Sequence, residues 1–117
     1  MKTKIGNYEY EISEVDIEEK NFKNEDGSLR LYGETDYEEQ TIKLYKDLTY
    51  ERKRATLIHE LTHAFHDVYL ASFHIKDKFD EEDICCFMAS YSEEIIRITD
   101  LYFKVRKTVD KPKKDVV

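Results

Sequence analysis

Hydrophobic residues recur with two different periods along this chain. In the first half the period is two. Tyr8, Tyr10 and Ile12 alternate with Asn7, Glu9 and Glu11; Leu29, Leu31 and Gly33 with Arg30 and Tyr32; Ile42 and Leu44 with Lys43 and Tyr45. Successive side chains of a strand point to opposite faces, so each stretch predicts a half-buried strand. Between them, Glu18 to Ser28 is polar and holds Asp26-Gly27, a strong turn signal, and Glu34 to Gln40 reads as a polar loop.

In the second half the period lengthens. Leu57, Leu61, Ala64 and Val68 recur at i, i+4, i+7 and i+11, an apolar stripe that predicts one helix over Glu51 to Leu70. Thr49 is placed to cap it, and Glu51 lies where a carboxylate favours the helix dipole. The acidic run Asp80-Glu81-Glu82-Asp83 suits the start of a second helix, whose apolar face is read as Ile84, Met88, Tyr91 and Ile95 with Cys85, Ile96, Ile98, Leu101, Tyr102 and Val105. From Lys107 to Val117 the chain is charged, contains the single proline, Pro112, and loses its periodicity. The expected fold class is therefore α+β. One domain spans residues 1–106, a small antiparallel sheet of about three strands followed by two helices, and 107–117 form a disordered tail.

Composition narrows the partners. With 117 residues the chain can build one core. A net charge of −7 argues against nucleic acid or an anionic membrane surface as partner. No apolar run approaches the roughly 20 residues of a membrane span, and Met1 to Gly6 lacks the apolar core of a secretion signal, so a cytoplasmic location is expected. Cys85 and Cys86 are adjacent, too awkward to bridge; they read as free thiols and small buried side chains, consistent with a reducing compartment.

The candidate chemistry lies on the first helix, in His59-Glu60-Leu61-Thr62-His63. Residues four apart stand one turn above each other, so both imidazoles project from one face and can reach a single Zn²⁺ at roughly 2.0–2.1 Å. Glu60 sits beside such a metal, where a base for its water belongs. The bland alternative is a pair of polar-face histidines on an amphipathic helix. The uninterrupted apolar stripe on the same segment favours the metal site. His66, seven residues after His59, returns to the same face but lies about 10.5 Å along the axis, so it cannot share an ion with His59. It and Tyr91 are candidate oxyanion donors, against a cleft-lining histidine and a core tyrosine. His74 has no evident partner.

Two histidines need a third ligand and an open position for water. A carboxylate from the Asp80–Asp83 cluster is the best supply. Helical periodicity leaves Glu82 and Glu81 close to even, since both precede small residues by one turn, while Asp83 is shorter and faces Cys86 and Phe87.

Thr56 to Phe65, Thr-Leu-Ile-His-Glu-Leu-Thr-His-Ala-Phe, resembles the active-site helix of ImmA/IrrE-type metallo-endopeptidases, small zincins common in phages and other mobile elements. Tyr32-Gly33-Glu34-Thr35-Asp36-Tyr37 and Gln40-Thr41-Ile42 are similar to the hairpin preceding that helix in phage-type members. Glu82-Asp83-Ile84-Cys85-Cys86-Phe87-Met88-Ala89 resembles their second-helix motif, in which a Glu six residues before a Phe-Ala-like pair is the third ligand. With Met88-Ala89 standing for that pair, the resemblance implies a zinc site of His59, His63 and Glu82. Cys85-Cys86 departs from the Ala-Asn or Ala-Asp of many members. The implied substrate is a protein partner such as a repressor or other regulator of a mobile element.

Two functions of different class follow. One is a zinc endopeptidase with Glu60 as general base and then acid, its extended substrate paired to an exposed strand edge at Ile42 to Tyr45. The other is a non-catalytic protein-binding module whose metal only staples the fold. Glu60 favours the first, because a structural zinc site needs no base.

Overall fold

The computed structural model describes residues 1–16, 22, 24–26, 28–29, 31–70 and 80–114, with side chains described as far as Val105. Its elements are β1 (Lys2–Ile5), β2 (Tyr8–Val15), β3 (Gly33–Asp36), β4 (Thr41–Tyr45), α1 (Tyr50–Tyr69) and α2 (Glu81–Lys114). The α+β class holds, but the sheet differs from the expected one. It has four strands in the order β1-β2-β4-β3 and is mixed, because β2 and β4 run parallel while β1/β2 and β3/β4 are antiparallel.

Each departure has a local cause. The added strand β1 forms because Gly6, in a left-handed conformation (φ 62°), opens a two-residue turn that folds Lys2–Ile5 back on β2. The N-terminal ammonium extends the pairing by donating to the Ile12 carbonyl at 2.7 Å. The strand expected at 29–33 instead occupies Gly33–Asp36, sharing Gly33 with the expected strand and otherwise lying in the stretch read as a loop. Its polar sequence hides it from a hydrophobicity pattern, yet it pairs with β4 from Gly33↔Leu44 to Asp36↔Thr41. Asp36 closes the hairpin, its Oδ1 accepting the Glu38 and Glu39 amides at 3.0 and 2.9 Å. Consequently Ile42 to Tyr45 is an interior strand, not an edge; the edge next to the helices is β3.

The first helix forms as its sequence predicts. Thr49 caps it by accepting the Arg52 amide, and Leu57, Leu61, Ala64 and Phe65 are buried against Ile5, Tyr10, Ile12, Ile42 and Leu44 of the sheet. α2 begins with a capping box: Asp80 Oδ1 accepts the Asp83 amide at 2.9 Å, and Asp83 Oδ2 accepts the Asp80 amide at 3.1 Å. Its buried face is Phe87, Ile95, Ile98, Tyr102 and Phe103. Ile84 and Met88, expected inside, are 50% and 51% exposed, and Cys85 and Cys86 are exposed free thiols instead of buried ones. The inner face at the start of α2 is thus offset by about one residue, roughly 100°, from the one read in the sequence, while Ile95, Ile98 and Tyr102 farther along are buried as expected. The α2 backbone runs on to Lys114 through most of the segment expected as a tail. No helix among the described residues is long and apolar enough to cross a membrane.

A polar network fastens the layers. Lys53, 3% exposed, donates from Nζ to Glu14 Oε1 on β2 at 2.8 Å and to the Lys46 carbonyl at 2.6 Å. The other Glu14 oxygen accepts the hydroxyl of Tyr102 on α2. One carboxylate therefore joins β2, α1 and α2.

Candidate active site

The motif occupies the middle of α1, on the boundary between the face packed on the sheet and the face open to solvent. His59 and His63 are exposed, and Glu60 between them is buried. This division follows from the helical period, because Glu60 shares its side with Thr56, Leu57 and Ala64, which turn towards the sheet.

The two imidazoles converge. Their Nε2 atoms are 3.2 Å apart, with ring centroids separated by 4.9 Å and planes crossed at 73°. Two nitrogens bonded to one ion at roughly 2.0–2.1 Å and subtending about 100° lie about 3.2 Å apart. The pair therefore fits two ligands of a tetrahedral zinc ion. Glu82 is exposed in the first turn of α2, and no third His, Cys, Asp or Glu among the described residues joins the pair in a cluster. His74 lies outside the described residues.

Glu60 is gripped from the sheet. Thr35 on β3 donates from Oγ1 to Glu60 Oε1 at 2.6 Å, and the same hydroxyl lies 3.1 Å from the Glu60 carbonyl. Close approach of the strand makes this contact possible. A Cβ added at Gly33 would stand 2.7 Å from Thr56 Cγ2 and 3.1 Å from Glu60 Cγ, so the strand can lie this close only with glycine there. The carboxylate is thus held at one oxygen, and Glu60 lines one cavity with His59. Tyr37, in the turn after β3, is a further neighbour. Burial first, then the Asp67 and Glu60 carboxylates, push its phenol pKa up.

A cavity of about 490 Å³ opens beside His59 and Glu60. Leu29, Leu31 and Ala55 give it an apolar wall, and Arg52 lies at its side, its guanidinium 5.1 Å from the Tyr32 ring centre and 3.2 Å from the Tyr32 hydroxyl. Tyr91 stacks on Tyr69 (4.7 Å, 18°) and meets Phe65 and Phe87, a core tyrosine. His66 is an exposed residue near the end of α1.

Pattern reading singled out His59, Glu60 and His63 but missed Gly33, Thr35, Tyr37 and Arg52. Three of these lie on or beside β3, whose polar sequence gave no strand signal. Strand alternation would have put Gly33 and Thr35 on one face had β3 been recognised.

No curated protein and no solved structure matches the chain. A family model does, over residues 11–90, from within β2 to within α2 and including the whole of α1. That span covers the hairpin, the histidine pair and the acidic start of α2, and by it the chain belongs to the IrrE N-terminal-like domain family, peptidase family M78.

Proposed function

We propose that this protein is a zinc-dependent endopeptidase that cuts a protein partner, with His59 and His63 holding the metal and Glu60 as general base. The observation that carries the reading is the arrangement around Glu60: a buried carboxylate, fixed at one oxygen by Thr35 and lining one cavity with His59, on the same helix as a pair of exposed imidazoles whose Nε2 atoms are 3.2 Å apart. A histidine pair on a polar surface has no use for a clamped, buried acid on the residue next to one of its members.

When bound there, the metal supplies Lewis acidity, making water easier to deprotonate near neutral pH and drawing charge from the scissile carbonyl. The remaining steps belong to the protein. Glu60 Oε1 is occupied by Thr35, so the second oxygen takes the proton of the attacking water and delivers it to the departing amine. An extended substrate pairs along the outer edge of β3, the last strand of the sheet among the described residues and the one that holds Glu60 through Thr35. The third metal ligand comes from the acidic first turn of α2. The family resemblance selects Glu82, whereas the burial of Phe87 rather than Met88 favours Glu81. Asp83 is committed to the capping box. The proposed substrate is a regulator such as a repressor of a mobile element, met in the cytoplasm.

Zinc content and cleavage together test this. Protein purified without chelator should hold close to one Zn²⁺ per chain and lose it in the His59→Ala/His63→Ala double variant. Glu60→Gln keeps the metal and lowers cleavage of a mixed pool of fluorescence-quenched peptides on the order of a hundredfold or more. Equal cleavage by Glu60→Gln and wild type would remove Glu60 as base. A zinc-loaded wild type that cuts nothing would favour the binding module.

A further inference from the structure

We propose that Thr35 is a positioning residue that couples substrate docking to the orientation of the general base; the functional half of this inference rests on the peptidase reading above. The argument starts from the register of the β3/β4 hairpin. Tyr45 donates its amide to the Tyr32 carbonyl at 2.9 Å, and Gly33 opposes Leu44. In an antiparallel ladder, directly opposed residues alternate between pairs that exchange hydrogen bonds and pairs that do not. Tyr32/Tyr45 belongs to the bonded set, so Glu34/Lys43 and Asp36/Thr41 do as well. Gly33/Leu44 and Thr35/Ile42 are the non-bonded pairs. The N–H and C=O groups of Gly33 and Thr35 therefore point away from β4, towards the outer edge of the sheet, along which no further strand lies among the described residues.

The same two residues send their Cα substituents towards α1. A Cβ on Gly33 would strike Thr56 and Glu60, and the Thr35 hydroxyl is bonded to Glu60 Oε1 at 2.6 Å. Thr35 thus offers its backbone to an incoming strand while its side chain holds the base. Glu34 and Asp36, on the alternate positions, do neither. A peptide that adds to the edge fixes the Thr35 backbone, and with it the position of a hydroxyl that has only one proton to donate. The carboxylate is short of alternatives, because burial leaves it little water to replace that donor. Docking of an extended chain on β3 and alignment of Glu60 become one event.

The test uses the full-length zinc-loaded protein, a mixed pool of fluorescence-quenched peptides to find a cleaved sequence, and that peptide for kinetics. Thr35→Val keeps the shape and removes the donor. Its kcat should fall about tenfold to a hundredfold, the effect of one charge-assisted hydrogen bond, with KM within about threefold and zinc content unchanged. Thr35→Ser restores the hydroxyl and should recover most of kcat. In the Glu60→Gln background, Thr35→Val should add less than about twofold, because residues acting as one unit are not additive. A kcat for Thr35→Val within about twofold of wild type would overturn the proposal. So would a serine variant as slow as the valine one, or an undiminished loss in the Glu60→Gln background.

The contact itself is tested without substrate. Thr35→Val should lower the urea midpoint of the wild type and leave that of Glu60→Ala unmoved. The same drop in both would show that Thr35 does not act through Glu60. A wild type that cuts no peptide overturns the peptidase reading instead, and with it the docking half of this proposal, while the urea cycle still decides whether Thr35 holds Glu60.

Discussion

Lys53→Met should cost this fold much of its stability, because it removes a buried ammonium from a carboxylate that three elements share. Lys53 is 3% exposed and its side chain lies between Glu14 at 2.8 Å and the Lys46 carbonyl at 2.6 Å. Methionine fills the same space, so packing loss is small. What is lost is a charge partner of Glu14, whose side chain is 16% exposed and keeps the Tyr102 hydroxyl. Breaking a buried ion pair from one side costs about 3–5 kcal/mol. The partial exposure of Glu14 lets water take up some of that, which brings the expected cost to about 2–4 kcal/mol. At a urea slope of about 2 kcal/mol/M, the midpoint should drop by roughly 1–2 M. Equilibrium urea unfolding of the metal-free protein, followed by circular dichroism, measures it. Adding Glu14→Gln should return part of the loss, since the carboxylate charge is gone. A shift under about 0.5 kcal/mol for Lys53→Met, or a double variant less stable than the single one, would refute the reasoning.

Other consequences are equally direct. Gly33→Ala forces a Cβ to 2.7 Å from Thr56 Cγ2 and 3.2 Å from the Lys43 carbonyl, so β3 must move off α1; a thermal melt should show a loss of about 1–3 kcal/mol, and cleavage should fall because Thr35 moves with the strand. Burial, then the Asp67 carboxylate, push the Tyr10 phenol pKa up to about 12 from 10.0. Its neutral form is favoured in the fold, so the stability it contributes is complete below pH 10 and is lost as pH rises towards 12. Tyr10→Phe should flatten the alkaline branch of a pH–stability curve in that window. Among the acids of α2, Glu82→Gln or Glu81→Gln should weaken zinc binding in a titration, while Asp83→Asn, which changes a capping group, should act on helix stability and leave zinc nearly untouched.

The first helix was legible because several independent signals fell on the same residues. Thr49 supplied a cap, Leu57, Leu61 and Ala64 a stripe, and His59 and His63 a spacing with chemical meaning. β3 was illegible to hydrophobic periodicity for the opposite reason, although the family resemblance of residues 32–37 and 40–42 had implied a hairpin there. Its residues, Gly-Glu-Thr-Asp, have poor strand propensity and no apolar alternation; they are held by β4 on one side and by α1 on one face, contacts made by residues distant in sequence. The parallel pairing of β2 with β4 was hidden likewise. It depends on where the connection from Val15 to β3 carries the chain, and period-two patterns are the same for parallel and antiparallel strands half-buried on one face.

The second helix shows how a small error in face becomes a large question of chemistry. Apolar residues occur nearly all round its first three turns: Ile84, Cys85, Cys86, Phe87, Met88 and Ala89 are consecutive. With so broad a stripe, periodicity cannot fix the rotation to better than one residue, about 100°. The structure fixes it by burying Phe87 and leaving Met88 51% exposed. An aromatic ring has more area to bury than a thioether, and here it meets Tyr91, with ring centres 5.2 Å apart. Counting six residues back from Met88-Ala89 gives Glu82; counting back from Phe87-Met88, the pair that starts with the buried aromatic, gives Glu81. The zinc titration of the two glutamine variants therefore reads out the rotation of α2 as well as the identity of a ligand. A larger loss in Glu81→Gln would mean that the buried aromatic sets the register of the site, and a larger loss in Glu82→Gln that α2 turns when metal binds.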